Sequence, residues 1–167
     1  MLTQTKIIAR TAIALMILTP SVAMAELKSE MQAYVVTADE SGAEQYYAAS
    51  SVKPGQLIEY RMQHTNAFDN AIGGVAIVGP VPEGSELVVG RAASDVSATF
   101  EVRGEFNPDL PGEEWSTLPA ERIVEQADGS RVIEIAKPEH FTAVRWTLNE
   151  AMQQDAAVNH AYRVQVK

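Results

Sequence analysis

The chain has 167 residues and no cysteine, which excludes disulfides, thiolate metal sites and a cysteine nucleophile. It carries 22 Asp and Glu against 13 Lys and Arg, a net charge of −9 at pH 7. So acidic a surface repels the phosphates of nucleic acid and of anionic membranes, and the length fits one domain able to bury its own core.

Residues 1–25 read as a secretory leader. Lys6 and Arg10 supply the positive start, residues 11–18 are apolar, Pro20 breaks the helix, and Ala23-Met24-Ala25 offers the small side chains that signal peptidase accepts. The apolar run falls well short of the roughly 20 residues a membrane span needs. Cleavage after Ala25 is expected, leaving no membrane anchor and a periplasmic or extracellular protein. Loss of Lys6 and Arg10 takes the net charge from −9 to −11.

Period-2 alternation dominates the remainder. Residues 31–36 form a first candidate strand, and residues 39–50 read as a loop or one helical turn. Residues 26–44 are therefore taken as an N-terminal strand and linker, and 45–167 as the main domain. Pro54-Gly55 is a turn signal, since Pro presets φ and Gly admits positive φ. Residues 56–64 follow, with Ile58, Tyr60, Met62 and His64 on one face and Glu59, Arg61 and Gln63 on the other. Residues 74–79 form a continuous apolar run, as a sandwich-core strand does.

Pro82-Glu83-Gly84 turns the chain into a strand over 86–90, and residues 99–103 alternate again. Residues 107–113 are a loop rich in Pro and Gly. Asp128-Gly129 between two alternating runs marks a hairpin. Residues 142–148 point Val144, Trp146 and Leu148 inward, and residues 162–167 alternate to the last position. Roughly eight or nine short strands separated by turns predict an all-β fold, a single antiparallel β-sandwich, with a closed barrel as the alternative.

Chemistry is sparse. His64, His140 and His160 have no partner at metal-ligand spacing. His64 reads as a hydrogen-bonded core or rim residue. No Gly-x-Ser-x-Gly elbow is present, so no catalytic, cofactor-binding or metal residue is assigned, and no cofactor is expected. Asn107, Asp109, Glu113 and Glu114 form the densest acidic loop. Oxygen ligands suit calcium, although the spacing is not that of an EF-hand. Trp115 beside them reads as packed on a sheet edge, or else as a contact for a partner or a sugar.

Val52-Lys53-Pro54-Gly55-Gln56, then Ile58-Glu59-Tyr60 and Thr65-Asn66, resemble the opening of the bacterial conserved-repeat domain of unknown function. Pro82-Glu83-Gly84, the Trp146 strand and the closing strand with Tyr162 resemble its later parts. The resemblance spans 45–167 and is weak over residues 92–137. It implies an immunoglobulin-like sandwich in exported and cell-surface proteins, without catalytic residues. The expected function is a non-enzymatic envelope or extracellular module with a protein partner or a second copy. A calcium- or carbohydrate-binding accessory domain is the alternative, followed by a hydrolase. Residues 26–36 are a candidate donor strand for self-assembly.

Overall fold

The computed structural model describes residues 26–167, so the leader read at 1–25 lies outside the described residues. The fold is all-β, with strands β1 (Leu27–Ala38), β2 (Glu44–Ala48), β3 (Leu57–Asn66), β4 (Ala76–Pro80), β5 (Ser85–Leu87) and β6 (Ala93–Ser94) in the first half. The second half holds β7 (Ala98–Gly104), β8 (Glu114–Ser116), β9 (Glu121–Glu125), β10 (Arg131–Ile135), β11 (Ala143–Leu148) and β12 (Ala157–Val166). A single 3-10 turn, Pro138–His140, is the one helical element among the described residues.

All pairings are antiparallel. One sheet runs β2-β1-β3-β12-β5, with β6 also on β12; a second runs β4-β11-β7-β8; β9 and β10 form a third, two-stranded sheet. The two larger sheets share one core, an arrangement consistent with a sandwich. Ile58 and Met62 of β3 and Tyr162 and Val164 of β12 meet Ile77, Val102, Val144 and Trp146 from the facing sheet. Tyr162 closes the interface, stacking on Tyr60 at 5.1 Å and donating its hydroxyl to the Pro80 carbonyl at 2.5 Å. A Cβ on Gly79 would sit 2.6 Å from the Tyr162 ring, so only glycine fits opposite it.

Several expectations change in detail. Residues 44–48, read within a loop or helical turn, form strand β2. The apolar run over 74–79 is an edge strand rather than a core strand: Ile77 is buried while Val78 is 50% exposed. Within residues 26–44, β1 lies inside the main sheet, paired to β3 from Leu27 opposite Asn66 to Val36 opposite Leu57. The candidate donor segment is thus a strand of its own sheet. Asn66, buried at the end of β3, donates its amide to the carbonyls of Asn70, Met152 and Gln153 and accepts from the Phe68 amide. That side chain reinforces two loops that a single backbone bridge, Ile72 with Met152, also joins.

The polar face of the first sheet carries a second organising feature. The Arg163 guanidinium binds Glu59 at 2.7 Å and grips both carboxylate oxygens of Glu44 at 2.7 and 2.6 Å. Glu59 also accepts from Arg61 Nε at 2.6 Å, and Arg61 lies over the rings of Tyr34 and Tyr46 at 4.9 and 4.3 Å. Glu44 belongs to β2, three strands from β12 in sheet order, a separation of roughly 14 Å in a flat sheet. The β1–β2 hairpin must therefore curl over this face, which accounts for the burial of Val36 on it.

Candidate functional site

The segment between β7 and β11 departs most from a plain sandwich, and it holds the most distinctive surface of the molecule. Its base is fixed by close packing. A Cβ on Gly104 would lie 2.5 Å from the His140 carbonyl oxygen and 2.9 Å from the Phe106 ring, so the chain leaves β7 where only glycine fits. Phe106 meets Phe141 edge-on, with ring centres 6.3 Å apart. The Phe106 carbonyl then accepts from Ile123 at 2.8 Å, and the Ala120 carbonyl from Ala136 at 2.8 Å. Ala120 and Ala136 are both buried. These contacts anchor the stem of the β9–β10 hairpin.

Beyond the stem the hairpin stands clear of the core. Val132 is 42% exposed, Ile133 69% and Ile135 56%. Ile133 pairs with Ile123 and shares a face with Ile135, whereas Val132 pairs with Val124 on the other face. Between the hairpin and β8 lies a cleft of about 310 Å³, walled by Phe106, Trp115, Ile123 and Ile133 and rimmed by Asn107, Glu114, Glu121 and Arg122. One edge of β8 and one edge of β10 pair with no other strand among the described residues.

The residues singled out from the sequence fall around this cleft but do not converge. The Asp109 carboxylate pairs with both terminal nitrogens of Arg131, at 2.6 and 2.9 Å, and the Asn107 side chain accepts from the Asp109 amide at 3.0 Å. Asp109 is held below the ordinary carboxylate range by that arginine. Glu113 binds Arg103 at 2.9 Å, while Glu114 lines the cleft. Among the described residues no three His, Asp or Glu side chains gather as a metal site requires. Trp115 lies on the edge strand β8, with the Arg145 guanidinium 4.3 Å and the Arg103 guanidinium 5.6 Å from its ring centre. Arg145 is itself held by Glu101 at 2.7 Å. Ser116, on the wall of the cleft, donates its hydroxyl to the Thr117 carbonyl. His140 accepts from the Lys137 amide at 3.0 Å and touches Arg122.

His64 and His160 lie elsewhere, side by side inside the sandwich. They are buried, with ring centres 6.2 Å apart, and His160 packs on Trp146 at 5.1 Å. Contrary to the hydrogen-bonded histidine expected, Nδ1 of His64 has no partner, nor has either nitrogen of His160. Alternation places both residues inward; it carries no information on whether the nitrogens are satisfied. Burial lowers both titrations, and the neighbouring His64 lowers that of His160 further, with Asp95 opposing.

The sign follows from linkage. The unfolded chain takes up protons near pH 6.5, which the buried imidazoles refuse, so stability falls as pH drops below that value. Each proton fully withheld costs about 1.4 kcal/mol per pH unit. We expect the melting temperature to fall between about pH 7.5 and 5, and His160→Phe to flatten the dependence. A pH profile indifferent to that substitution would exclude the histidine pair as its source.

No family model, no curated protein and no solved structure matches the chain.

Proposed function

We propose that this chain is an exported, immunoglobulin-like sandwich module that binds a protein partner through the β9–β10 hairpin and the cleft beneath it, without catalysis. The observation that carries the reading is the exposure of Ile133 and Ile135 on one face of a small sheet that opens onto the cleft. Isolated aliphatic side chains at a surface are ordinary, whereas neighbouring exposed isoleucines beside an unpaired strand edge mark a binding surface or an aggregation hazard.

The chemistry of the partner follows from the edge and the charge. An unpaired edge accepts an added strand, whose alternate side chains then fill the adjoining pocket. Glu114 and Glu121 rim the cleft of a chain of net charge −9, which favours an extended segment with aliphatic residues and flanking Lys or Arg. The acidity of the chain as a whole works against a second copy as the occupant. The leader at 1–25 and the resemblance over 45–167 support export and an envelope or extracellular setting.

The test compares immobilised residues 26–167 with the Ile133→Glu/Ile135→Glu variant in capture from envelope extract. Both positions are largely exposed, so the double variant is expected to melt within about 0.5 kcal/mol of the parent. It should lose the captured partner at least tenfold. Equal capture by two equally stable proteins would contradict the assignment.

A further inference from the structure

The polar face of the first sheet carries a second concave feature, away from the hairpin. A groove of about 230 Å³ runs across β1, β3 and β12, lined by Glu30, Gln32, Arg61, Gln63 and Asn159. The register explains its shape. Glu30, Gln63 and Asn159 lie opposite one another in one row. Gln32 and Arg61 lie opposite each other in the next.

Exposed polar side chains on a sheet are usually free rotors. Here all but Glu30 are held. Asp95 accepts from the backbone and side-chain nitrogens of Asn159 at 2.8 and 2.7 Å, and Asn159 Oδ1 in turn accepts from Gln63 Nε2 at 3.1 Å. The Tyr34 hydroxyl donates to Gln32 Oε1. Arg61 is fixed by Glu59 and by the rings of Tyr34 and Tyr46. Left over are Gln63 Oε1, Gln32 Nε2, the two terminal Arg61 nitrogens and the Glu30 carboxylate, none with a hydrogen-bond partner in the described residues. The row thus presents oriented donors and acceptors whose rotamer entropy is already spent, the condition under which exposed polar groups bind.

Charge narrows the ligand. Arg61 and Arg163 are matched by Glu59 and Glu44, so Arg61 is not a free cation that would draw an anion, and the one unpaired charge in the groove, the Glu30 carboxylate, repels anions and can accept from ligand hydroxyls. The groove lies on a sheet face, where the backbone is already paired, so an added peptide strand finds no ladder. A neutral, hydroxyl-rich ligand suits mixed donors and acceptors, because each hydroxyl both gives and receives a hydrogen bond. We propose that this face binds a neutral oligosaccharide, with the groove seating one sugar unit and Gln32, Arg61 and Gln63 as its polar contacts. The volume is below the roughly 300–1,000 Å³ of drug-sized pockets, which fits one unit of a chain that continues over the surface.

The test is a glycan array of neutral and acidic oligosaccharides probed with residues 26–167, followed by titration calorimetry on the strongest neutral binder. Neutral glycans should bind, the Gln32→Ala/Gln63→Ala variant should weaken binding at least tenfold with an unchanged melt, and Ile133→Glu/Ile135→Glu should bind as the parent does. Three results overturn the proposal: no neutral glycan bound at millimolar concentration, acidic glycans alone bound, or binding unaffected by the glutamine substitutions. Loss of glycan binding in the isoleucine variant alone would place any sugar at the hairpin instead. The hairpin reading stands or falls separately, since its variant and its partner are different.

Discussion

Deleting residues 162–167 abolishes the cooperative thermal transition of residues 26–167. A terminal strand is often dispensable when it lies at a sheet edge, but β12 lies between β3 and β5. The deletion removes Tyr162 and Val164, both fully buried, together with Arg163. It also removes the carbonyls that hold the Val88 and Gly55 amides, and the Lys167 amide that binds the Gly84 carbonyl. Emptying one buried aromatic site costs about 3–5 kcal/mol and an aliphatic one about 1–3. Tyr162 and Val164 alone account for about 4–8 kcal/mol, and the loss of Arg163 and of the strand ladder brings the total to the scale of the roughly 5–15 kcal/mol that holds a domain of this kind together. Far-UV circular dichroism against temperature checks this, and a cooperative melt within about 10 °C of the parent would contradict it.

Arg163→Ala destabilises the fold by about 3 kcal/mol, the low end for breaking a buried pair, because the buried Glu59 carboxylate then keeps only the half-exposed Arg61. The side chains of Arg163 and Glu59 are 9% and 10% exposed, so water does not replace the lost contacts. Glu44→Gln on the same arginine costs far less, since Glu44 is substantially exposed. Replacing both members of the inner pair, as Glu59→Leu/Arg163→Met, recovers most of the loss: it removes the charges as well as their attraction. Urea melts of the single and double variants test the set, and a double variant no better than Arg163→Ala would refute the desolvation account. The acid limb carries a related signature. Arg163, and then the Tyr46 hydroxyl, bring the Glu44 carboxyl down to about 2. The stabilisation from that carboxyl is therefore complete above about pH 4.5 and disappears as pH falls towards 2.

Where side chains alternate against a covered face, the strands are legible in the sequence. β3, β11 and β12 follow from their inward Ile58, Met62, Val144, Trp146, Tyr162 and Val164. The turns follow from Gly55, Gly84 and Gly129, which adopt φ of 85°, 77° and 79°. β2 escapes notice because every residue in it is exposed; its ladder with β1 places it, and Glu44 reaching Arg163, 119 positions along the chain, pins its end. β6 and β8, of two and three residues, are too short to show a period.

The candidate site was half visible. Trp115 and the acidic loop stand out by composition, and Asp128-Gly129 announces the hairpin. The exposure of Ile133 and Ile135 could not be read, because their alternation is the same whether the inward face is covered or bare. Cover is decided by the third sheet standing apart from the other two. The glutamine row has the same difficulty. A polar outer face looks alike in sequence whether its side chains rotate freely or are locked by Asp95 and Tyr34.

The most direct measurement on the central reading is photo-crosslinking in the exporting cell, with benzoylphenylalanine at position 133 and, as control, at exposed Thr99 on β7. A discrete adduct to one protein at position 133, missing at Thr99, is the result expected if the hairpin is the docking surface. Equal adducts at both positions, or none at 133 in a chain that is exported and folded, would contradict it.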